Sequence, residues 1–215
     1  MATPHLLPFL LAGFLVLIVP GPNVLFVVGR ALAYGKRTAI TSAAGGSVGA
    51  YVQAILVSIG LGTLIQRSEL VFTTVKLLGA AYLVFLGVKA LRDRHALGQS
   101  LESAAADAPQ APIGLRAAGQ GIVVGLTNPK GTVFFGAVLP QFVDPSQGSV
   151  PEQMILLATA FCVMAVLSDS AWGLTAGTAR DWFARSPRRL ALVGGAGGLA
   201  MVGLGVGVAV TGREG

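Results

Sequence analysis

The stretch that decides the fold reads Gly125-Leu-Thr-Asn-Pro-Lys-Gly-Thr-Val-Phe-Phe135. It is uncharged except for one ammonium group, Lys130, set directly after a proline. Near the start of the chain a second apolar stretch is interrupted in a similar way, by Pro20-Gly-Pro-Asn23. A hydrocarbon interior tolerates a charge or a broken helix only where protein or a water-filled path surrounds it. Two such interruptions at corresponding places in two halves of one chain point to the substrate site of a transporter.

Composition supports a membrane setting. The chain is 53% hydrophobic and 11% charged, with a mean hydropathy of +0.75, whereas soluble domains carry about 25% charged residues. The 30 glycines fit transmembrane helices that approach closely. A membrane β-barrel would alternate in short segments; the runs here are longer and evenly apolar. The first run starts near residue 6 and meets no charge before Arg30. With no basic leader, and with Pro-Gly-Pro inside it, this run reads as a retained span rather than a signal peptide. The single cysteine, Cys162, excludes internal disulfides and a thiolate cluster. The net charge of +6 is expected to collect in cytoplasmic loops, so no nucleic-acid partner is inferred.

A span needs about 20 predominantly apolar residues, which gives six: 6–29, 39–65, 70–91, 115–139, 153–178 and 190–211. Lys76, near the start of the third, can snorkel to the nearer surface. Basic residues then fall mainly on one side. Arg30, Lys36 and Arg37 lie in the first such connection; Lys89, Arg92, Arg94 and Arg116 flank the second; Arg180, Arg185, Arg188 and Arg189 occupy the third. The other side holds Arg67, Lys76 and Arg213. The positive-inside rule therefore places both termini outside. Residues 93–113 are polar and Ala/Pro-rich and read as a cytoplasmic linker between halves 1–92 and 114–215. Because each half has three spans, the second enters the membrane inverted. The expected fold is an all-α polytopic membrane protein of six transmembrane helices arranged as two inverted three-helix repeats.

The interruptions carry the chemistry. Two prolines around Gly21 break or kink a helix. Pro22 suits the first position of a new half-helix, whose free N–H groups and positive dipole end attract a carboxylate; Asn23 adds a donor and an acceptor. A purely structural kink is the plainer alternative. In the second interruption, Pro129 frees a carbonyl that Thr127 and Asn128 can satisfy or offer to a ligand. Lys130 either snorkels or faces a cavity or an acidic partner, since a mid-span charge costs about 2.5–3.5 kcal/mol. Its expected partner is Asp169, the acidic residue well inside a span. Alone, that carboxylate sits neutral; near Lys130 it stays charged. Either state makes it a candidate proton or ammonium site, with a fixed ion pair or a hydrogen-bonded neutral acid as the structural alternative.

Gln53, Gln120, Ser47, Ser168 and Ser170 either line the same path or bond helices together. The pairs Gly45/Gly49, Gly121/Gly125, Gly173/Gly177, Gly194/Gly198 and Gly203/Gly207 read as packing contacts, and the glycine-rich sixth span could mediate a homodimer. His5 and His95 lie outside the spans, so no metal site or cofactor is expected. A membrane serine hydrolase would need an in-span base and an aspartyl dyad a second carboxylate, and no phosphate-binding GxxxxGK[ST] loop occurs.

Several segments together resemble the lysine exporter (LysE/RhtB) family of bacterial amino-acid efflux proteins. They are Pro20-Gly-Pro-Asn23, Ala33-Tyr-Gly-Lys-Arg37, Ala44-Gly-Gly-Ser-Val-Gly49, Leu78-Gly-Ala-Ala-Tyr-Leu83 with Leu86-Gly-Val-Lys-Ala-Leu91, and Thr127-Asn-Pro-Lys-Gly131 continuing to Leu139-Pro-Gln-Phe-Val143. The resemblance implies a six-span protein of the bacterial inner membrane, not an enzyme, that exports an amino acid or close derivative against protons. The expected site comprises Gly21, Pro22, Asn23, Thr127, Asn128, Pro129, Lys130 and Asp169. The substrate carboxylate would sit after Gly21 near Asn23 and Lys130, and its ammonium at Asp169 or the carbonyls around Thr127 and Asn128. Proton binding to Asp169 would couple the cycle. The alternatives are efflux of an inorganic cation, which one in-span carboxylate serves poorly, or a non-transporting membrane enzyme or assembly subunit.

Overall fold

Proline placement divides the chain into its helices. In a computed structural model that describes residues 6–96, 99, 103, 114–184 and 187–210, with the backbone alone for 62–67, 177–184, 187–190 and 193, helix α1 (Leu6–Ile18) stops just before Pro20. Helix α2 (Pro22–Tyr34) starts with Pro22 in its first turn and Gly21 as its cap. The two are bent by 54°. Gly35, at φ +84°, ends α2, and its left-handed backbone, which glycine adopts without strain, leads into α3 (Lys36–Arg67). The Ser68 hydroxyl caps α4 (Glu69–Asp93) by accepting from the Val71 N–H at 3.3 Å.

The second proline break follows the same logic. Helix α5 (Leu115–Leu126) ends at Thr127, and α6 (Pro129–Val133) begins with Pro129 behind an Asn128 cap. Helix α6 runs on through one π-helical segment, Phe134–Val138, and a 3-10 turn, Leu139–Phe142. The bend across this pair is 47°. Two further helices complete the chain, α7 (Val150–Ala184) and α8 (Pro187–Val210). No strand occurs among the described residues.

Three helices, α3, α4 and α7, are long and apolar enough to cross a membrane, or five spans if each bent pair counts as one. The expected first and fourth spans are thus broken rods, and the apolar part described for the sixth is the shorter Gly194–Val210. Most of the expected linker 93–113 lies outside the described residues. Outward faces carry exposed Leu7, Leu11, Leu56, Leu70, Leu78, Leu167 and Leu199, a density of apolar surface that suits lipid rather than water.

Glycine sets how closely the helices meet. Gly45 and Gly49 of α3 lie on the backbone of Ala118 and Ile122, while Gly121 and Gly125 of α5 lie on Ser42 and Gly46 in return. Gly87 of α4 and Gly198 of α8 meet in the same way. These glycine spacings act as packing contacts, as expected. The expected Gly203/Gly207 packing pair is corrected: a Cβ at either position would meet nothing within 4 Å.

One reading is corrected. Arg30 is not a loop charge: it is buried on α2, where its guanidinium donates to Gln120 Oε1 at 2.8 Å and lies 4.8 Å from the Phe26 ring centre. The bond and the aromatic face let the cation remain under the surface.

A Gly125→Val side chain would overlap the Gly46 backbone, and overpacking of this kind costs about 1–3 kcal/mol. Gly125→Val is expected to lower the thermal midpoint of the detergent-solubilised protein while Gly203→Ala leaves it unchanged; equal midpoints would remove the packing role assigned to Gly125.

Candidate functional site

Each break leaves backbone carbonyls that the prolines cannot satisfy. In a continuous helix the Val16 carbonyl would accept from residue 20, but Pro20 has no N–H. Lys130 supplies the missing donor. Its Nζ donates to Val16 O at 3.0 Å and to Val19 O at 2.9 Å, and its side chain is buried. The cation therefore sits on the negative C-terminal end of α1. Gly21 makes room for it, since a Cβ there would come within 3.1 Å of Nζ.

The second break is completed by α3. The Leu126 carbonyl would normally take the Lys130 N–H, but that N–H bonds the Asn128 side chain instead, at 3.1 Å. Gln53 Nε2 donates to Leu126 O at 2.7 Å, to Asn128 O at 3.3 Å and to Thr132 Oγ1 at 2.8 Å. Gly131 lets the amide approach, because a Cβ there would collide with Gln53 Oε1.

Asp169 of α7 belongs to the first break. It is 2% exposed and accepts a hydrogen bond from the Asn23 amide. Asn23 in turn lies flat on Gly46. A cavity of about 40 Å³ separates these groups and is lined by Asn23, Ser47, Asn128, Lys130, Phe161 and Asp169. Asn23 Oδ1 and Ser47 Oγ are buried without a hydrogen-bond partner. The expected direct pair between Lys130 and Asp169 is corrected: the lysine protons go to carbonyls of α1, and the carboxylate takes the asparagine amide.

Lys130 also faces a larger cavity, of about 460 Å³. Its floor is Val19, Pro20, Gly21, Pro22, Pro129 and Lys130. Its walls are Leu25, Tyr82, Phe85, Leu86 and Met201, and Lys89, Asp93 and Arg94, all exposed, mark its mouth. That volume falls in the usual range for a small-molecule pocket. The first-turn N–H groups of α2 lack intrahelical partners, and no side chain caps them.

Beyond the small cavity the path is filled by rings. Phe161 stacks on Phe134 at 4.7 Å and meets Phe135 edge-on at 5.2 Å, while Phe9 touches Phe134 at 5.7 Å and Phe142 at 5.6 Å. Four of the five are fully or almost fully buried.

The structure thus brings seven of the eight expected site residues around two cavities. Gly21, Pro22 and Pro129 face the large one; Asn23, Asn128 and Asp169 face the small one; Lys130 faces both. Thr127 faces neither. Its exposed hydroxyl donates to the Val123 carbonyl of its own helix at 2.8 Å. The carbonyls expected to be open near Asn128 are held by Gln53, whose role needed the partner helix to be seen. No cluster of three metal-binding side chains occurs among the described residues.

Comparison with known proteins adds a lineage. The profile of the LysE type translocator family matches residues 14–212. An uncharacterized membrane protein of Vibrio cholerae is 35% identical over 181 residues, 84% of each chain. The homoserine/homoserine lactone efflux protein of Salmonella typhimurium is 35% identical over 160 residues, 72% of each chain. The leucine efflux protein of an Enterobacter species is 30% identical over 196 residues, covering 91% of this chain and 90% of its own. No solved structure matches.

A buried polar group left without its partner costs about 1–3 kcal/mol. Gln53→Leu strands the Leu126 carbonyl, so its thermal midpoint should fall below that of the parent, and an unchanged midpoint would show that the second break needs no such donor.

Proposed function

The chain belongs to the LysE type translocator family, and we propose that it exports small amino acids from the bacterial cytoplasm in exchange for protons. The observation that carries this reading is the uncapped N-terminus of α2 between the two cavities, beside the Lys130 ammonium, with Gly21 and Pro22 facing the large cavity and Asn23 and Val24 the small one. Free N–H groups, a positive dipole end and a cation at one place favour a carboxylate. Asp169 is the acceptor proposed for the substrate ammonium, since Gln53 already holds the alternative carbonyls. A proton and the ammonium then compete for one carboxylate, which is the coupling. The relatives named for efflux of homoserine, its lactone and leucine support amino acids as the cargo class.

The proposed frame is six spans in two inverted halves, with residues 93–113 joining them in the cytoplasm and both termini outside. The equivalence of the breaks supports it. Pro22-Asn23 and Pro129-Lys130 occupy the same first-turn positions. Asp169 of α7 attends the first break and Gln53 of α3 the second, so a long helix of each half serves the other. In this orientation the mouth at Lys89, Asp93 and Arg94 faces the cytoplasm, where cargo loads. The phenylalanine cluster closes the outer side, as alternating access requires, and the adjoining π-helical segment is the element proposed to move.

Liposomes containing the purified protein and preloaded with labelled amino acids test the reading. An imposed proton gradient should drive release of a subset. Lys130→Ala and Asp169→Asn, if folded and inserted, should each reduce that release at least tenfold. Wild-type rates in both variants would overturn the mechanism. Opening the aromatic closure with Phe161→Ala should produce gradient-independent leak of the same cargo; tight vesicles would argue that the cluster is not the outer gate.

A further inference from the structure

Resting on the export reading, we infer that the cavity selects amino acids with uncharged, apolar side chains and rejects basic and acidic ones. The argument starts from register. Gly79 of α4 abuts Val133 and Ala137 of α6, so one turn further along α4, Tyr82 comes level with Pro129 and Lys130. From there to Asp93 the helix rises roughly 16 Å at 1.5 Å per residue. A substrate held by its carboxylate at Gly21 and Lys130 must lay its side chain along that interval. The interval is walled by Leu25, Tyr82, Phe85, Leu86 and Met201, and among the described residues no charged side chain lines it before Lys89. A lysine or arginine side chain is too short to reach Asp93, so its cation would be stripped of water with no carboxylate beside it, left with the Tyr82 hydroxyl and the ring faces.

Charge acts in the same direction. Among the described residues, Lys89, Arg94 and Lys130 line the cavity against a single carboxylate, Asp93, one helical turn from Lys89. The net positive field draws in a carboxylate and repels a second ammonium, which outweighs the weak attraction of the Tyr82 and Phe85 faces for cations. A glutamate side chain fails for a different reason: its carboxylate would lie in the apolar interval and lose its hydration.

Liposomes loaded with leucine, lysine and glutamate at equal concentration provide the test, with thermal stabilisation of the detergent-solubilised protein by each amino acid as a transport-independent readout. Leucine is expected to leave at least tenfold faster than lysine or glutamate and to stabilise the protein alone. In Leu86→Glu, which places a carboxylate in the apolar wall, the preference for leucine over lysine should shrink at least tenfold. Lysine or glutamate released as fast as leucine would overturn the inference and leave amino-acid export standing. Neither release nor stabilisation by any amino acid in the panel would overturn export itself.

Discussion

A broken helix inside hydrocarbon must find donors for the carbonyls it exposes, and this requirement governs the centre of the molecule. Lipid chains offer no hydrogen bonds, and each unsatisfied group is costly. The chain meets the requirement with two long side chains delivered from elsewhere in the sequence. Lys130 reaches the Val16 and Val19 carbonyls, and Gln53 reaches those of Leu126 and Asn128. The glycines at 21, 46 and 131 follow from the same need, because any side chain there would occupy the space of Lys130, Asn23 or Gln53. A charge retained among apolar helices is then no anomaly. It is the donor that a proline removed.

The surrounding frame is stiff where backbones touch and looser where rings meet. Between α3 and α5 glycine brings main chain against main chain, which leaves little freedom to slide without a clash. The phenylalanine cluster is different: its contacts are between side chains, on segments that include π-helical and 3-10 turns. Rings can repack by changing rotamer, and a π turn can tighten to an α turn at modest cost. A rigid helix pair and a looser ring cluster are thus built from neighbouring residues of the same chain.

Much of this was legible in the residues themselves. Pro22 and Pro129 mark the half-helix starts because proline without an N–H belongs at a first helical turn, and both stand there. The glycine spacings read as contacts for an equally local reason. Lys130 and Asp169 stand out as in-span charges, so their convergence on one small cavity follows from the cost of placing either in lipid. Their actual partners were not legible. An ammonium beside a carboxylate looks like a pair in one dimension, and only the geometry shows that α1 carbonyls take the lysine. Gln53 carries no local signal, since an amide in an apolar helix reads the same whether it bonds helices together or completes a break. The π-helical segment and the five-ring cluster were also invisible, because phenylalanine in an apolar run has no sequence feature that tells which other rings it will meet.

Lys130 and the carbonyl it caps at Val19 are 111 residues apart, and this separation has a consequence for how the protein is made. A ribosome adds about 5–20 residues per second, so the first break is translated seconds before its donor exists. During that interval the C-terminal end of α1 must keep its carbonyls hydrated or sheltered by the insertion machinery. Early helices are therefore held short of their final packing until the later ones arrive. The bond that organises the finished site also sets the moment at which the two parts of the chain can close on each other.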